Sequence, residues 1–216
     1  MTGYRTLRAF GEDEVVIQKS RFIGRAAPCA DEKAALDLIA GAKARYREAR
    51  HHCYAYIIGA NRGIMRYSDD GEPGGTAGLP IIETMKQRGV TDCCVVVTRY
   101  FGGILLGTGG LTRAYRTGCR IALDSAGVVD MIPSAEYLCE VDYGLWDRVR
   151  HEMAQSPAEM GETAFTDRVS FAFAVREEDE EKVLDLLTRV TNGRADLIET
   201  SRLVRPWQSA DEPAEE

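Results

Sequence analysis

The sequence predicts an α+β protein of two domains, and three observations lead to this fold class. Strand-like runs are interspersed with segments of helical periodicity, in a chain of 216 residues that is 44% hydrophobic. Residues 1–132 carry 18 Lys+Arg against 14 Asp+Glu, whereas residues 133–216 carry 9 against 20. Pro133 follows the end of a helical segment, where the charge changes. We therefore predict domains at 1–132 and 133–208 and a disordered tail at 209–216.

The start of the chain and its cysteines indicate where the protein works. The first residues, M-T-G-Y-R-T-L-R, contain no apolar signal segment, and no window of the sequence approaches the length of a membrane span. We therefore expect a cytoplasmic protein without a membrane partner. The six cysteines are expected to be reduced and mostly buried, and the absence of a C-x-x-C motif argues against zinc.

The first domain is predicted to contain six strands and three helices. The first two strands flank a polar turn at 11–13 and are expected to form a hairpin. Asp31 is a good N-cap for a helix whose apolar spacing continues to Arg47. The predicted strands are 4–10, 15–17, 23–27, 51–58, 65–67 and 95–97, and the predicted helices are 32–47, 80–89 and one that begins at Leu111.

The second domain has a simpler order of elements. Periodicity predicts strands at 137–143, 159–166, 169–175 and 195–204, and helices at 145–154 and 178–190. The order βαββαβ is that of a ferredoxin-like split unit. The acidic run at 177–181 suits a helix N-terminus and is interpreted as solvated surface.

The most informative stretch is residues 95–113, V-V-V-T-R-Y-F-G-G-I-L-L-G-T-G-G-L-T-R. A strand, a glycine-rich connection and a helix N-terminus direct several backbone N–H groups and the positive end of a helix dipole to one place, which attracts anions. This order predicts an anion-binding or nucleic-acid-binding surface. Its predicted residues are Arg99, Tyr100, Gly102, Gly103, Gly107, Gly109, Gly110, Arg113, Arg116 and Arg120.

The helix after this stretch is predicted to have two different faces. One face is apolar and contains small residues that allow close packing on a sheet. The opposite face carries Arg113, Arg116 and Arg120. A charged row opposite a core is ordinarily solvated surface. The neighbouring glycines are the reason to interpret this row as part of a binding surface.

Other polar residues fit no familiar catalytic motif. The glycine stretch lacks the lysine of a Walker A loop and the third glycine of the dinucleotide fingerprint. His51 and His52 are neighbours in a strand and face opposite ways, so they form no ready chelate, and the role of Cys53 stays open. Acidic residues within turns usually cap backbone N–H groups, with a magnesium site as the alternative. Those residues are Asp69, Asp70 and Glu72.

Three segments resemble the IMPACT/YigZ family. They are H-H-C-Y-A-Y at 51–56, S-D-D-G-E-P-G-G-T-A-G-L-P at 68–80 and R-Y-F-G-G-I-L-L-G-T-G-G-L-T-R-A-Y at 99–115. The resemblance implies a first domain with the two-layer α/β fold of ribosomal-protein and elongation-factor type, and a second domain similar to a ferredoxin-like domain of elongation factor G. Eukaryotic members are linked to control of translation through a kinase-activating partner. Because they carry a different N-terminal domain, that role is not expected to transfer.

Two functions of different classes follow from the sequence. The preferred one is a translation-associated binding protein that contacts RNA or a ribosome-associated surface through the glycine-rich loop and the basic helix. The alternative is an enzyme that acts on a phosphorylated metabolite or nucleotide with a divalent metal held by Asp69, Asp70 and Glu72. No nucleophile or base stands at a recognisable spacing, so we assign no catalytic residue and favour the non-enzymatic function. The sequence determines neither a protein partner nor the oligomeric state.

Overall fold

The computed structural model describes residues 3–208, which form ten strands and five α-helices. This arrangement confirms the predicted α+β class, and the predicted tail at 209–216 lies outside the described residues. The strands are β1 (Tyr4–Leu7), β2 (Gly11–Ile17), β3 (Ser20–Pro28), β4 (His51–Ile58), β5 (Ile64–Ser68), β6 (Cys93–Tyr100), β7 (Val128–Val141), β8 (Glu159–Phe165), β9 (Val169–Arg176) and β10 (Asp196–Gln208). The helices are α1 (Glu32–Arg45), α2 (Gly78–Gln87), α3 (Gly107–Ala126), α4 (Tyr143–Ala154) and α5 (Glu180–Thr191).

The chain divides into two compact units. The larger unit contains Tyr4–Met131 and, of the described residues beyond it, 206–208. The smaller unit contains Ile132–Arg205 together with Gly3. None of the helices in the described part of the chain is both long enough and apolar enough to span a membrane.

The larger unit is built around strand β6. Its five-stranded antiparallel sheet has the order β2-β3-β6-β4-β5, so β6 is the central strand. Alternate side chains of β6 enter different cores: Val95 and Val97 pack in the cluster that includes α2 and α3, and Cys94 and Val96 pack against α1. Helices therefore lie on both faces of this sheet, which explains why β6 has an unbroken apolar run.

The predicted hairpin between the first two strands is wrong. Strand β2 pairs with β3, and the turn between them places Gln18 and Lys19 at φ values of 45° and 65°, as a two-residue hairpin turn requires. Strand β1 instead pairs with the first residues of β7. The segment predicted as a turn belongs to β2, where Glu12 pairs with Arg25 at 2.9 Å. The polar residues at 11–13 indicated a turn, but they pair with β3 and are therefore part of a strand.

The smaller unit confirms the predicted ferredoxin-like order of elements. Its sheet has the order β10-β7-β9-β8, and the cluster that includes α4 and α5 covers one face of it. Inward side chains alternate along the strands as the sequence predicts, and the rings of Tyr137 and Phe173 stack with centroids 5.2 Å apart.

Small residues bring α3 close to the sheet of the larger unit. A Cβ atom at Gly118 would lie 2.8 Å from Val97 Cγ1, and one at Gly24 would lie 2.2 Å from the carbonyl oxygen of Gly118. Side chains at these positions would force the helix away from the sheet. The predicted core face of α3 is confirmed, since Ala114, Tyr115 and Gly118 are buried. This packing holds the first turn of α3 beside the end of β6.

Candidate anion-binding site

Helix α3 begins inside the glycine-rich stretch, at Gly107, so the predicted start at Leu111 is wrong. Gly109 and Gly110 therefore belong to the first helical turn rather than to a loop. Glycine is a poor helix former, but the packing of the rest of this 20-residue helix outweighs that local preference. The N-cap residue is Leu106, and no side chain caps the first turn. The backbone N–H groups at this end are consequently open to an acceptor from outside the helix.

The glycines of the stretch have two different environments. A Cβ atom at Gly102 would lie 2.0 Å from backbone atoms of Lys19, and the Gly102 N–H donates to Ser20 Oγ at 3.2 Å. Gly102 therefore allows close packing on the β2–β3 turn. Gly103 and Gly107 have positive φ values of 84° and 68°, and a Cβ atom at Gly103, Gly107 or Gly109 would meet nothing within 4 Å. These glycines border open space.

Arg99 lies buried in an ion pair with Glu72. The Nη1 to Oε1 distance is 2.7 Å, and the two side chains are only 7% and 4% exposed. Tyr115 donates its hydroxyl proton to the same carboxylate oxygen at 2.8 Å. The Arg99 guanidinium also lies 5.5 Å from the ring centroids of both Phe22 and Phe101. Arg99 was predicted to contact an anion directly, but in this structure its charge is matched by Glu72.

The ion pair joins the 68–80 segment to the 99–115 segment. Two residues beside it are held in their neutral forms. Burial, with contributions from Cys53 and Glu72, raises the pKa of Tyr115, which keeps that residue a proton donor. Burial also raises the pKa of Cys53, whose Sγ donates to the Asp69 carbonyl oxygen at 2.9 Å. Cys53 is therefore a packed thiol rather than an activated nucleophile.

The two histidines face opposite ways, as predicted. His52 is buried, its Nδ1 lies 3.1 Å from Thr98 Oγ1, and burial lowers its pKa. His51 is half-buried, and its Nδ1 lies 2.9 Å from the Asp70 carbonyl oxygen. Because a carbonyl oxygen only accepts, Nδ1 of His51 carries the proton of this hydrogen bond.

The acidic residues of the 68–80 segment hold the backbone in place. Asp69 accepts hydrogen bonds from the N–H groups of Gly75, Ala77 and Gly78 at 2.8 to 3.0 Å, and thereby caps the start of α2. Asp70 accepts from the His52 N–H at 2.7 Å. Within residues 3–208, no three His, Cys, Asp or Glu side chains form a group that could hold a metal ion. Asp69 and Asp70 therefore act as acceptors for backbone N–H groups, as the capping interpretation expects.

The row of arginines on α3 is exposed. Arg113, Arg116 and Arg120 make no ion pair with any residue that the structure describes. Other arginines of the larger unit do have acidic partners, among them Arg25 with Glu12 at 2.9 Å. Tyr100, the remaining predicted binding residue, is half-exposed, with the guanidinium of Arg21 5.8 Å from its ring centroid. The structure thus places the arginine row on the surface and Arg99 inside.

A cavity of about 440 Å³ lies at the start of α3. Its walls join the 68–80 segment, the end of β6 and the first turn of α3, and they include the side chains of Arg50, His51, Phe101 and Leu105. The sequence analysis did not select these four residues for the binding surface. A signal was present for two of them, since Phe101 and Leu105 are large apolar residues within a glycine-rich connection, and they are 54% and 85% exposed. Arg50 carried no such signal, because basic residues at a helix end also suit the helix dipole.

Comparison with known proteins identifies relatives along most of the chain. Residues 18–123 match the model of the Impact N-terminal domain, and residues 139–194 match a domain of unknown function, DUF1949. IMPACT family member YvyE of Bacillus subtilis (strain 168) is 39% identical over 196 residues, which are 91% of this chain and 90% of the relative. IMPACT family member YigZ of Escherichia coli (strain K12) is 42% identical over 129 residues, which are 59% of this chain and 63% of the relative.

A solved structure has a similar fold. It is described as the crystal structure of a hypothetical protein, and it superposes with a TM-score of 0.59 at 30% sequence identity. The superposition covers 93% of this chain and 98% of the other. The similarity therefore includes both units.

Proposed function

The chain belongs to the IMPACT family, and from the arginine row on α3 we propose that its larger unit binds single-stranded RNA. The observation that carries this proposal is the row itself, Arg113, Arg116 and Arg120, which is exposed and makes no ion pair with the described residues. We include a translation-associated role in the same proposal.

The spacing of the row suits a chain of phosphates. At a rise of about 1.5 Å per residue, the row extends along about 10 Å of helix. A stacked nucleic-acid strand places one phosphate about every 3.4 Å along its axis, so the row covers about three phosphates. Arginine forms paired hydrogen bonds to phosphate oxygens, which suits it to this role.

Charge repulsion between the arginines of the row also argues for a bound anion. Arg113 and Arg116 are three residues apart and Arg116 and Arg120 are four apart, so they are neighbours on one side of the helix. Each such pair of like charges destabilises a helix by about 0.2–0.5 kcal/mol. Phosphates beside the row would relieve this repulsion. The net charge of +4 over residues 1–132, from 18 basic and 14 acidic residues, would strengthen the attraction.

Two features of the same region support a nucleic acid as the bound anion, and the second of them favours it over polyanions without bases. The uncapped first turn of α3 offers backbone donors that suit a phosphate oxygen. Phe101, 54% exposed, offers a ring on which an unpaired base can stack. The resemblance of the fold to domains of translation proteins agrees with this choice.

Fluorescence anisotropy with a labelled single-stranded RNA of mixed sequence tests the proposal. We expect saturable binding at 50 mM salt that weakens strongly at 200 mM, because phosphate contacts release counterions. The variant Arg113→Ala/Arg116→Ala/Arg120→Ala should bind at least tenfold more weakly and with a smaller salt dependence. Arg66→Ala is the matched control, since Arg66 is an exposed arginine on β5, away from the row.

Two results would contradict the proposal. One is the absence of RNA binding by the wild-type chain at 50 mM salt. The other is a triple variant that binds RNA as tightly as wild type and with the same salt dependence. Circular dichroism of each variant should accompany the titrations, so that loss of binding is separated from loss of fold.

A further inference from the structure

The cavity at the start of α3 combines an apolar wall with groups that attract an anion. Phe101 and Leu105 form part of the wall, and the exposed backbone at Gly107 and Thr108 forms its helical end. The arginine row does not account for this cavity, because Arg113, Arg116 and Arg120 are not among its lining residues. Its volume of about 440 Å³ falls in the usual range of small-molecule sites.

The aromatic wall is held in place from one side. The Arg99 guanidinium lies 5.5 Å from the centroid of the Phe101 ring, and Glu72 in turn fixes Arg99. Phe101 nevertheless remains 54% exposed. An exposed ring that is oriented in advance stacks a flat ligand at low entropic cost. A nucleobase is such a ligand.

The anionic end of a ligand has donors at the helical end of the cavity. The first turn of α3 has no side-chain cap, so its N–H groups can donate to a phosphate. Arg50, which also lines the cavity, is exposed and has no acidic partner within residues 3–208. These two features are on different elements and both favour negative charge.

A buried donor independently indicates a ligand. Arg99 lines the cavity and its side chain is 7% exposed, and its Nε has no hydrogen-bond partner among the described residues. An acceptor in the wall adds to this. The side chain of Glu72 lines the cavity and is 4% exposed. Its Oε1 accepts from Arg99 and Tyr115, but no donor among the described residues contacts its Oε2. A carboxylate oxygen in such a site is suited to accept from the amino group of a base.

From these observations we infer that the cavity binds one nucleotide, with its phosphate at the first turn of α3 and Arg50 and its base against Phe101. The inference deepens the proposed function and rests on it for the identification of the ligand as a unit of nucleic acid. In that setting, the cavity holds one unstacked base while the arginine row contacts the neighbouring phosphates. Bases that carry an amino group fit the acceptor of Glu72 best.

Isothermal titration calorimetry with adenosine and cytidine 5′-monophosphates tests this inference directly. Both should bind saturably, and more tightly than either inorganic phosphate or the nucleosides. The reason is that the phosphate and the base are bound at different ends of the cavity, and each contributes to the affinity. Phe101→Ala should weaken binding at least ~5-fold by loss of stacking. Leu36→Ala is its control, since Leu36 on α1 is 53% exposed and lies outside the cavity.

A second variant separates loss of binding from loss of fold. Thr108→Glu adds a negative charge to the first turn of α3, which stabilises a helix but repels a phosphate. This variant should be at least as stable as wild type and should lose nucleotide binding. The inference is overturned if neither nucleotide binds, if phosphate alone binds as tightly as the nucleotides, or if both variants bind them like wild type.

The two proposals can fail separately. The triple arginine variant should keep the affinity for adenosine monophosphate, whereas Phe101→Ala should keep the salt dependence of RNA binding. Nucleotide binding without RNA binding would refute the proposed function and leave the nucleotide site standing. RNA binding that depends on the arginine row, without any nucleotide binding, would refute only the cavity inference.

Discussion

The guanidinium of Arg99 and the carboxylate of Glu72, 27 positions apart in sequence, form an ion pair of 2.7 Å inside the larger unit. The pair connects the end of β6 with the segment that precedes α2, and both residues line the cavity at the start of α3. The shape of that cavity therefore depends on a charge interaction that water hardly reaches. This relationship leads to the first of four predictions.

Removal of one member of the pair should be more damaging than removal of both. Glu72→Ala leaves the Arg99 charge buried without a partner, and we expect a loss of about 3–5 kcal/mol in the free energy of unfolding. The double variant Glu72→Met/Arg99→Met should lose less, because no isolated charge remains. Urea denaturation of the single and double variants measures this difference. A double variant that loses as much stability as Glu72→Ala, or a Glu72→Ala protein within about 1 kcal/mol of wild type, would contradict this prediction.

Asp69 is expected to stabilise the start of α2. Its carboxylate accepts from three backbone N–H groups, so Asp69→Ala should lower the free energy of unfolding by about 1–2 kcal/mol. Asp37→Ala is a suitable control, because Asp37 makes an exposed pair with Lys33 at 2.8 Å and should cost less than about 0.5 kcal/mol. Equal losses in the two variants would contradict the capping role.

Close contact between α3 and β6 should make Gly118 intolerant of a side chain. In Gly118→Ala, the new methyl group would lie 2.8 Å from Val97 Cγ1, and we expect a loss of about 1–3 kcal/mol from strain. Gly144→Ala, in the first turn of α4, should be neutral or stabilising, since its methyl group would meet nothing within 4 Å. Thermal unfolding of both variants tests this, and a Gly118→Ala protein as stable as wild type would refute it.

The burial of His52 should make stability depend on pH. Burial lowers its pKa in the folded protein below the ordinary value of 6.5, so the unfolded chain binds a proton more readily. The stability contributed by the neutral ring is present above about pH 6.5 and is lost as the pH falls below it towards the folded pKa. His52→Gln, which keeps a donor near Thr98, should flatten the dependence between pH 5 and 7. Urea midpoints of the two proteins, measured across that pH interval, test this prediction. An identical change of the midpoint with pH in the two proteins would exclude His52 as the cause.

The sequence alone determined the features that depend on neighbouring residues. Asp31 caps α1 as its type and position predict, accepting from the Ala34 N–H at 2.8 Å. The two faces of α3 follow from a period of 3.6 residues, which places the small residues inside and Arg113, Arg116 and Arg120 outside. The order of elements in the smaller unit follows from the same local periodicities.

Only the tertiary structure decided the features that depend on residues distant in sequence. Strand β1 pairs with β7 rather than β2, because a hydrogen-bonding partner is chosen from the whole chain and not from the next segment. The sequence predicted that Arg99 contacts an anion, but in the fold Glu72 lies against it. The cavity likewise forms where three separate segments meet, so no local pattern contained it. Local propensity determines which elements form and which faces they bury, whereas long-range packing determines which charges remain free to bind a ligand.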